Sequence, residues 1–207
     1  MSSPPVKYKA LLIDLDGVIR QWNPSDENIE VSCDLPIGSI RQVAFDPPLV
    51  ELAITGQITD EEWHSRTVET LRQRFGAPNA HKAVARWASF PGKVDTKTLD
   101  ILDRCSPSLR TVLVTNATSK LACDLLELGL TERFFAVVNA SEVGVSKPSQ
   151  EIFHIALQRA EVCAEQALFI DDSLRNVEAA SALNICSHQF TGHDAMTAFL
   201  RKNGVLD

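Results

Sequence analysis

The chain has 207 residues, of which 44% are hydrophobic and 23% are charged. That balance is typical of a soluble globular protein and argues against disorder, and the length suits one domain or one domain with an insertion. The formal net charge is -7 and no block of lysine or arginine occurs. We therefore expect no binding to a nucleic acid or to an anionic membrane surface.

The lack of a recognisable targeting signal and the pattern of cysteines both favour a reducing compartment. The first residues, MSSPPVKYKALLID, lack an apolar segment followed by a small-residue cleavage site, and no run of 18 apolar residues occurs. The five cysteines include no CxxC pair, which favours reduced thiols packed as small hydrophobic side chains. We expect a cytoplasmic protein with no membrane partner, and the sequence is compatible with a monomer or a homodimer.

The first predicted element is the apolar strand YKALLID at residues 8–14, which ends in Asp14. A second carboxylate follows at Asp16, and Gly17 lets the chain turn sharply after it. Two acids spaced by two residues would lie on one side of a continuing strand, where their charges repel each other. Some other group must therefore make this arrangement favourable.

Residues 20–90 differ in character, because they carry helical patterns and no convincing strand. Segment 58–76 predicts a helix that begins at Thr59, with Glu62 three residues later in the spacing of a capping box. Segment 81–90 predicts another helix, and segment 36–56 holds one or two short ones. We expect a small helical module inserted directly after the first strand.

Beyond residue 90, short apolar runs alternate with longer amphipathic ones. Strands are predicted at 110–116, 134–140, 166–172 and 184–190, and helices at 118–130, 148–160 and 173–183. This alternation predicts an α/β fold, with a parallel sheet covered by helices on both faces in a Rossmann-like, three-layer core. The expected division is a core of residues 1–18 and 91–207 and a helical cap of residues 19–90.

Polar side chains gather where the predicted strands end. They are Asp14, Asp16, Thr115, Asn116, Lys147 (after a longer loop), Asp171 and Asp172. In an open parallel sheet, ligands bind outside the carboxyl ends of the strands. Several carboxylates without nearby histidine or cysteine ligands favour Mg²⁺. Thr115, Asn116, Lys147 and the helix expected to start near Thr118 favour a bound phosphate.

A carboxylate held in line with a Mg²⁺-bound phosphoryl group can attack it and form an aspartyl-phosphate. The sequence assigns this attack to Asp14. Asp16 lies just beyond, where it could donate a proton to the leaving alcohol and later remove one from the attacking water.

The segments LLIDLDGVI, LVTNAT, VSKPS and FIDDSLRNVEAA, in that order, resemble the four signature motifs of the haloacid dehalogenase superfamily. Most members of that superfamily are phosphatases. The resemblance implies that Asp14 is nucleophile and metal ligand, and that Asp16 is acid/base and ligates through its backbone carbonyl. It also implies that Thr115 and Lys147 bind phosphate, and that Asp172 ligates the metal with support from Asp171.

The helical insertion resembles the family's small helical cap. Its segment ITGQITDEEW is similar to the cap of sugar-phosphate phosphatases and of the phosphatase domains fused to epoxide hydrolases. Two positions depart from the family pattern. Val18 stands where many members have threonine, and Asn176 stands where some carry a second acid, for which the pair Asp171 and Asp172 can compensate.

Several cap side chains are possible determinants of specificity. Trp63 and Trp87 are interpreted as core residues of the helical module, and His64 as a surface residue. Arg20 and Trp22 follow the catalytic strand so closely that they either line the entrance of the site or take no part in it.

The resulting hypothesis is a Mg²⁺-dependent phosphatase that hydrolyses a small phosphorylated metabolite, with sugar phosphates among the candidates. A phosphomutase of the same family would share the whole core apparatus. A haloacid dehalogenase is disfavoured because it lacks the second aspartate. A phospho-receiver module is disfavoured by the order of its acids, and a non-catalytic binding protein by the presence of every catalytic residue.

Overall fold

The computed structural model describes residues 8–22 and 26–207. Residues 1–7 of the predicted core and residues 23–25 of the predicted cap lie outside the described residues. The strands are β1 (Ala10–Ile13), β2 (Arg20–Gln21), β3 (Lys93–Val94), β4 (Arg110–Thr115), β5 (Ala136–Asn139), β6 (Ala167–Asp171) and β7 (Cys186–Gln189). The α-helices are α1 (Asp26–Ser32), α2 (Ser39–Ala44), α3 (Pro47–Ile54), α4 (Asp60–Phe75), α5 (Ala80–Ala88), α6 (Thr96–Asp103), α7 (Leu121–Glu127), α8 (Ala140–Val143), α9 (Gln150–Ala160), α10 (Leu174–Ser181) and α11 (His193–Lys202).

A five-stranded parallel sheet forms the centre of the molecule, in the order β5-β4-β1-β6-β7. Strand β1 lies in the middle, where Ile13 is level with Leu113 of β4 and with Ile170 of β6. All four residues of β1 are buried, as expected for a strand with neighbours on both sides and helices on both faces. The predicted α/β fold is confirmed.

The two faces of the sheet bury separate hydrophobic clusters. Leu11 and Ile13 belong to one cluster, and Ala10 and Leu12 to the other, because successive side chains of a strand point to opposite faces. Helix α9 packs its apolar side against β4 and β5 within the second cluster. The core is therefore made of three layers.

Helices α1–α5 pack on one another between β2 and β3. The cluster shared by α1, α2, α4 and α5 includes the fully buried side chains of Ile40 and Leu71. The buried carboxylate of Glu30 accepts hydrogen bonds from the backbone N–H groups of Gly38 (2.6 Å) and Ile40 (2.8 Å), which satisfies donors at the start of α2. The exact boundaries of the core (1–18 and 91–207) and of the cap (19–90) stay a prediction.

The chain leaves for the helical segment and returns from it through an antiparallel pair of short strands, in which Arg20 is paired with Val94. The expectation that residues 20–90 contain no strand is therefore wrong at its first two residues. These residues become a strand because β3 pairs with them from more than seventy positions away, so no local alternation marks them.

Most predicted elements lie within two or three residues of the observed ones. Helix α7 begins at Leu121, three residues after the expected start near Thr118. The hydroxyl of Thr118 donates instead to Asp60 Oδ1 of α4 (2.5 Å), and Ser119 Oγ accepts from the backbone N–H of Asp60 (3.0 Å). No helix in the described part of the chain is long and apolar enough to cross a membrane.

Candidate active site

The predicted site residues converge at one edge of the sheet. Asp14 follows β1, Thr115 ends β4 and Asp171 ends β6, and parallel strands present their carboxyl ends on the same side. Lys147 reaches this edge from the loop before α9. The edge therefore collects carboxylates from two strands and an amine from a loop that is distant in sequence.

Lys147 is the central cation of the site, and its side chain is 1% exposed. Its Nζ atom lies 2.7 Å from Asp14 Oδ1 and 2.7 Å from Asp171 Oδ2. It also donates to the backbone carbonyl of Val114 at 2.8 Å. An ammonium group has three donors, so these partners account for all of them and make its burial tolerable.

The site holds more buried negative charge than Lys147 can neutralise. Burial raises the pKa of Asp14 to about 7; the charge of Lys147 acts against this, and those of Asp171 and Asp16 reinforce it. Burial also acts to lower the pKa of Lys147, but Asp14 and Asp171 outweigh it and raise that pKa. The pKa of Asp172 is raised by burial and by the charge of Asp171.

This donor set fits a hard divalent cation. Asp14, Asp171 and Asp172 each offer an oxygen atom, and these three atoms lie within 4.8 Å of one another. The raised pKa values of Asp14 and Asp172 reflect repulsion and burial that a cation between the carboxylates would offset. Oxygen-only ligation suits Mg²⁺ better than a softer metal.

Asp171 is fixed by more hydrogen bonds than Asp172. Its Oδ1 atom accepts from the backbone N–H of Ser173 at 2.8 Å, and the amide of Asn176 donates to both of its oxygens at 3.0 and 3.1 Å. Asn176 thus stabilises the carboxylate beside Lys147. This arrangement agrees with the prediction that Asp172 ligates directly and Asp171 supports it, which stays a prediction.

Gly17 allows the turn after β1 to pass close to Asp172. Its φ angle is +82°, and a Cβ atom at this position would lie 2.1 Å from Asp172 Oδ2. We expect Gly17→Ala to displace the Asp172 carboxylate and to weaken Mg²⁺ affinity about tenfold or more. Isothermal titration with Mg²⁺ measures this, and Gly129→Ala is a matched control, because Gly129 has φ +68° and open space around it. Equal Mg²⁺ affinity in both variants would contradict the role assigned to this close approach.

The Asp16 carboxylate lies outside the group of three carboxylates. Arg20 binds it through two contacts, from Nε to Oδ1 at 2.7 Å and from Nη2 to Oδ2 at 3.0 Å. The indole N–H of Trp22 donates to Oδ1 at 2.8 Å, and the Arg20 guanidinium stacks on the Trp22 ring at 4.5 Å. Both candidate entrance residues, Arg20 and Trp22, therefore contact the predicted acid/base directly.

A chain of charges behind Asp16 was not visible in the sequence. Arg20 Nη1 donates to Asp124 Oδ2 on α7 at 2.7 Å, and Lys120 Nζ lies 3.3 Å from Asp124 Oδ1. Lys120 also donates to the carbonyl of Ala88, at the end of α5. Because Arg20 and Asp124 are 104 residues apart, no local pattern could have paired them.

Thr115 and Asn116 differ in what their side chains do. The Thr115 hydroxyl is buried and has no hydrogen-bond partner among the residues that the structure describes. A buried donor without a partner is costly, which fits a ligand oxygen at this position. Asn116 instead exchanges hydrogen bonds with the backbone of Lys147, at 2.9 and 2.8 Å. Its predicted contact with phosphate stays a prediction.

A cavity of about 300 Å³ opens beside Asp16, between α7 and the helical segment, and we call it the aromatic pocket. It is lined by Asp16, Arg20, Trp22, Ile29, Arg41, Phe45, Val50, Ile54, Asp60, Trp63, His64, Trp87, Ala88, Phe90, Asn116, Ala117, Thr118, Lys120 and Asp124. The expectation that His64 is a surface residue is wrong. Its ring stacks on Trp63 (5.1 Å between centroids), and its Nδ1 atom lies 3.2 Å from Asp60 Oδ2.

Comparisons with known proteins agree with this geometry. The family model of the haloacid dehalogenase-like hydrolases matches residues 8–184. The haloacid dehalogenase-like hydrolase domain-containing protein 3 of Xenopus laevis is 32% identical over 157 residues, which are 75% of this chain and 59% of that protein. The chain thus spans less than two thirds of that relative.

Two further proteins match nearly their whole length. The sesquiterpene phosphatase astK of Aspergillus oryzae is 24% identical over 94% of this chain and 96% of its own. A haloacid dehalogenase family enzyme of Bacteroides thetaiotaomicron, solved with magnesium and inorganic phosphate, superposes with a TM-score of 0.71. It is 24% identical and covers 88% of this chain and 93% of its own. The fold, the ordered motifs and the family match together place this chain among the haloacid dehalogenase-like hydrolases.

Proposed function

We propose that the protein is a Mg²⁺-dependent phosphatase that hydrolyses a small phosphomonoester through an aspartyl-phosphate on Asp14. The observation that carries this proposal is the buried cluster in which Asp14 shares Lys147 with Asp171, next to Asp172. The phosphatase activity of the Aspergillus oryzae relative and the magnesium and phosphate bound by the Bacteroides thetaiotaomicron enzyme support it.

The two oxygens of Asp14 differ in their surroundings. Oδ1 accepts from the backbone N–H of Leu15 at 2.7 Å and lies 2.7 Å from Lys147 Nζ. Oδ2 has no hydrogen-bond partner within the described residues, so we assign it the attack on phosphorus. A Mg²⁺ ion held by Asp14, Asp171 and Asp172 would supply positive charge that stabilises the transferring phosphoryl group.

Lys147 and Thr115 would bind the phosphoryl oxygens in different ways. Lys147 would attract them through its positive charge, because its three donors already have partners, and Thr115 would donate a hydrogen bond. Lys147 already lies against the nucleophile, and the Thr115 hydroxyl is a buried donor that needs a partner. Both groups are held on the sheet edge before substrate arrives, so little reorganisation is needed at the moment of reaction. Asn116 fixes the backbone of Lys147 and so positions it.

Helices α1–α5 act as a cap over this edge in our proposal. Contacts between Asp60 and Thr118 and between Lys120 and the Ala88 carbonyl join the helical segment to the core. A cap that closes over the site keeps bulk water from the phosphoryl group. We place the enzyme in the cytoplasm, where its partner would be a small phosphorylated metabolite.

Removal of the metal gives the simplest test of the proposal. We expect inorganic phosphate release from phosphomonoesters in Mg²⁺ and none above background in EDTA, with activity restored when Mg²⁺ is added back. Without the cation, the carboxylates of Asp14 and Asp172 would repel the phosphate dianion. Full phosphate release in EDTA would contradict the proposal.

Asp16→Asn should slow the hydrolysis of esters with poor leaving groups more than the hydrolysis of esters with good leaving groups. An amide cannot protonate the leaving alcohol, so we expect the loss in kcat/KM to be about 10²-fold or more for an alkyl phosphate. We expect a smaller loss for p-nitrophenyl phosphate, whose leaving group needs no proton. The ratio kcat/KM reports the first chemical step, so slow hydrolysis of the intermediate does not disturb the comparison. Equal losses on both substrates would argue against the acid role of Asp16.

A further inference from the structure

Five aromatic rings line the aromatic pocket and form two groups. Phe45, Trp63 and Trp87 form an edge-to-face cluster with centroid distances of 5.6 to 6.1 Å. Trp22 and Phe90 form a second pair at 6.4 Å. These five rings include all three tryptophans of the chain.

Part of this aromatic surface is open to solvent. Trp22 is 44% exposed, Phe45 46% and Phe90 38%, and all three line the pocket. Exposed rings cost free energy that burial against an apolar ligand would recover. Exposed apolar surface gathered in one concave place marks a binding site more often than scattered exposure does.

Several charged side chains of the pocket are already bonded to one another. Arg20 is paired with Asp16 and Asp124, and Asp60 accepts from Thr118 and lies beside His64. Among the described residues, the lining holds three basic side chains (Arg20, Arg41 and Lys120) and three acidic ones (Asp16, Asp60 and Asp124), so their formal charges cancel with His64 neutral. A ligand rich in hydroxyl groups or charge would have to break these pairs or lose its own hydrogen bonds to water.

The pocket begins at the proposed acid/base. Asp16 lies in its lining, and the Trp22 indole N–H that faces the pocket donates to Asp16. Asp16 must reach the oxygen between phosphorus and the leaving alcohol, so the carbon part of that alcohol would lie in this pocket. We infer that the enzyme acts on the phosphomonoester of an apolar alcohol and not on a sugar phosphate. This inference rests on the proposed function, because it identifies the leaving group of that reaction.

Two substrates of similar shape distinguish a preference for an apolar alcohol from a preference for a sugar. Cyclohexylmethyl phosphate and glucose 6-phosphate both carry phosphate on a primary alcohol attached to a six-membered ring, and they differ mainly in the hydroxyl groups. With Mg²⁺, we expect kcat/KM for cyclohexylmethyl phosphate to be greater by about tenfold or more. Phosphate release that favours glucose 6-phosphate would overturn this inference and leave the proposed function standing.

Tryptophan fluorescence tests the pocket without turnover, because every tryptophan of the chain lines it. Titration with cyclohexylmethylphosphonate, which has no P–O–C bond to cleave, should change the emission saturably. Glucose 6-phosphate, added to the Asp14→Asn variant so that it is not hydrolysed, should not change the emission saturably. An unchanged emission with the phosphonate would overturn the inference. Saturable binding with no phosphate release from any ester would instead overturn the proposed function.

The Phe45→Ser variant tests whether the aromatic pocket is the source of the preference for an apolar ester. Phe45 follows α2, and its ring packs edge to face against Trp63 and Trp87. We expect KM for cyclohexylmethyl phosphate to rise about tenfold and KM for glucose 6-phosphate to change less. Phe135→Ser is the matched control, since Phe135 is 54% exposed outside the pocket, and it should leave both values unchanged. Unchanged KM for the apolar ester in a folded Phe45→Ser protein would count against the inference.

Discussion

Replacing Asp14 with asparagine is expected to lower kcat by about 10⁴-fold or more, because an amide cannot form the covalent intermediate. The fold should survive. Asparagine has nearly the same size, and Lys147 keeps its contacts with Asp171 and with the Val114 carbonyl. Phosphate release measures the loss, and circular dichroism with thermal unfolding checks the fold.

The matched control for this variant is Asp103→Asn. Asp103 is an aspartate on α6 whose side chain is 57% exposed and paired with Arg133, away from the sheet edge. This control should keep the wild-type kcat. A folded Asp14→Asn protein with wild-type kcat would exclude Asp14 as the nucleophile.

Lys147→Met should have the second large effect, because it removes the buried cation between two buried carboxylates. Breaking a buried ion pair in this way costs about 3–5 kcal/mol of the free energy of unfolding. Urea unfolding at neutral pH in EDTA measures that loss. Phosphate release should also fall, since the phosphoryl oxygens lose their charged partner.

Mg²⁺ should restore more stability to Lys147→Met than to the wild type, because a bound cation would offset the charge of Asp14 and Asp171. The matched control is Lys82→Met on the exposed side of α5, which should unfold like the wild type. If both lysine variants lost the same stability, the buried cluster would not have the energetic role assigned to it.

The gathering of these side chains at the sheet edge could be predicted from the sequence, because it depends only on which strands are parallel. Once β1, β4 and β6 are recognised as parallel strands, Asp14, Thr115 and Asp171 must lie on one side. The apolar runs identify these strands without any knowledge of their partners. The position of Lys147 at this edge is expected too, but its pairing with Asp14 and Asp171 is not, because Lys147 reaches the edge from a loop and not from the end of a strand.

The surroundings of Asp16 could not be predicted in this way. Arg20 reaches Asp124 across 104 positions, and the two-residue strand that holds Arg20 exists only because residues 93–94 pair with it. Trp63 is expected in the core of the helical module because of its size and apolar ring, and it is 7% exposed. The charged neighbours of His64 in DEEWHSR favour a surface position, and nothing local in the sequence reveals that a cavity lies beside it.

Trapping the phosphoenzyme tests the central claim most directly. Asp16→Asn protein mixed with p-nitrophenyl phosphate and Mg²⁺ should accumulate the intermediate, because this leaving group needs no proton but the attacking water still needs a base. After acid quench and trypsin digestion, mass spectrometry should find one phosphoryl group on the variant peptide ALLIDLNGVIR (10–20), assigned by fragmentation to Asp14 and removed by hydroxylamine. Phosphate release with no modified peptide, or with the phosphoryl group on another residue, would contradict the proposed mechanism.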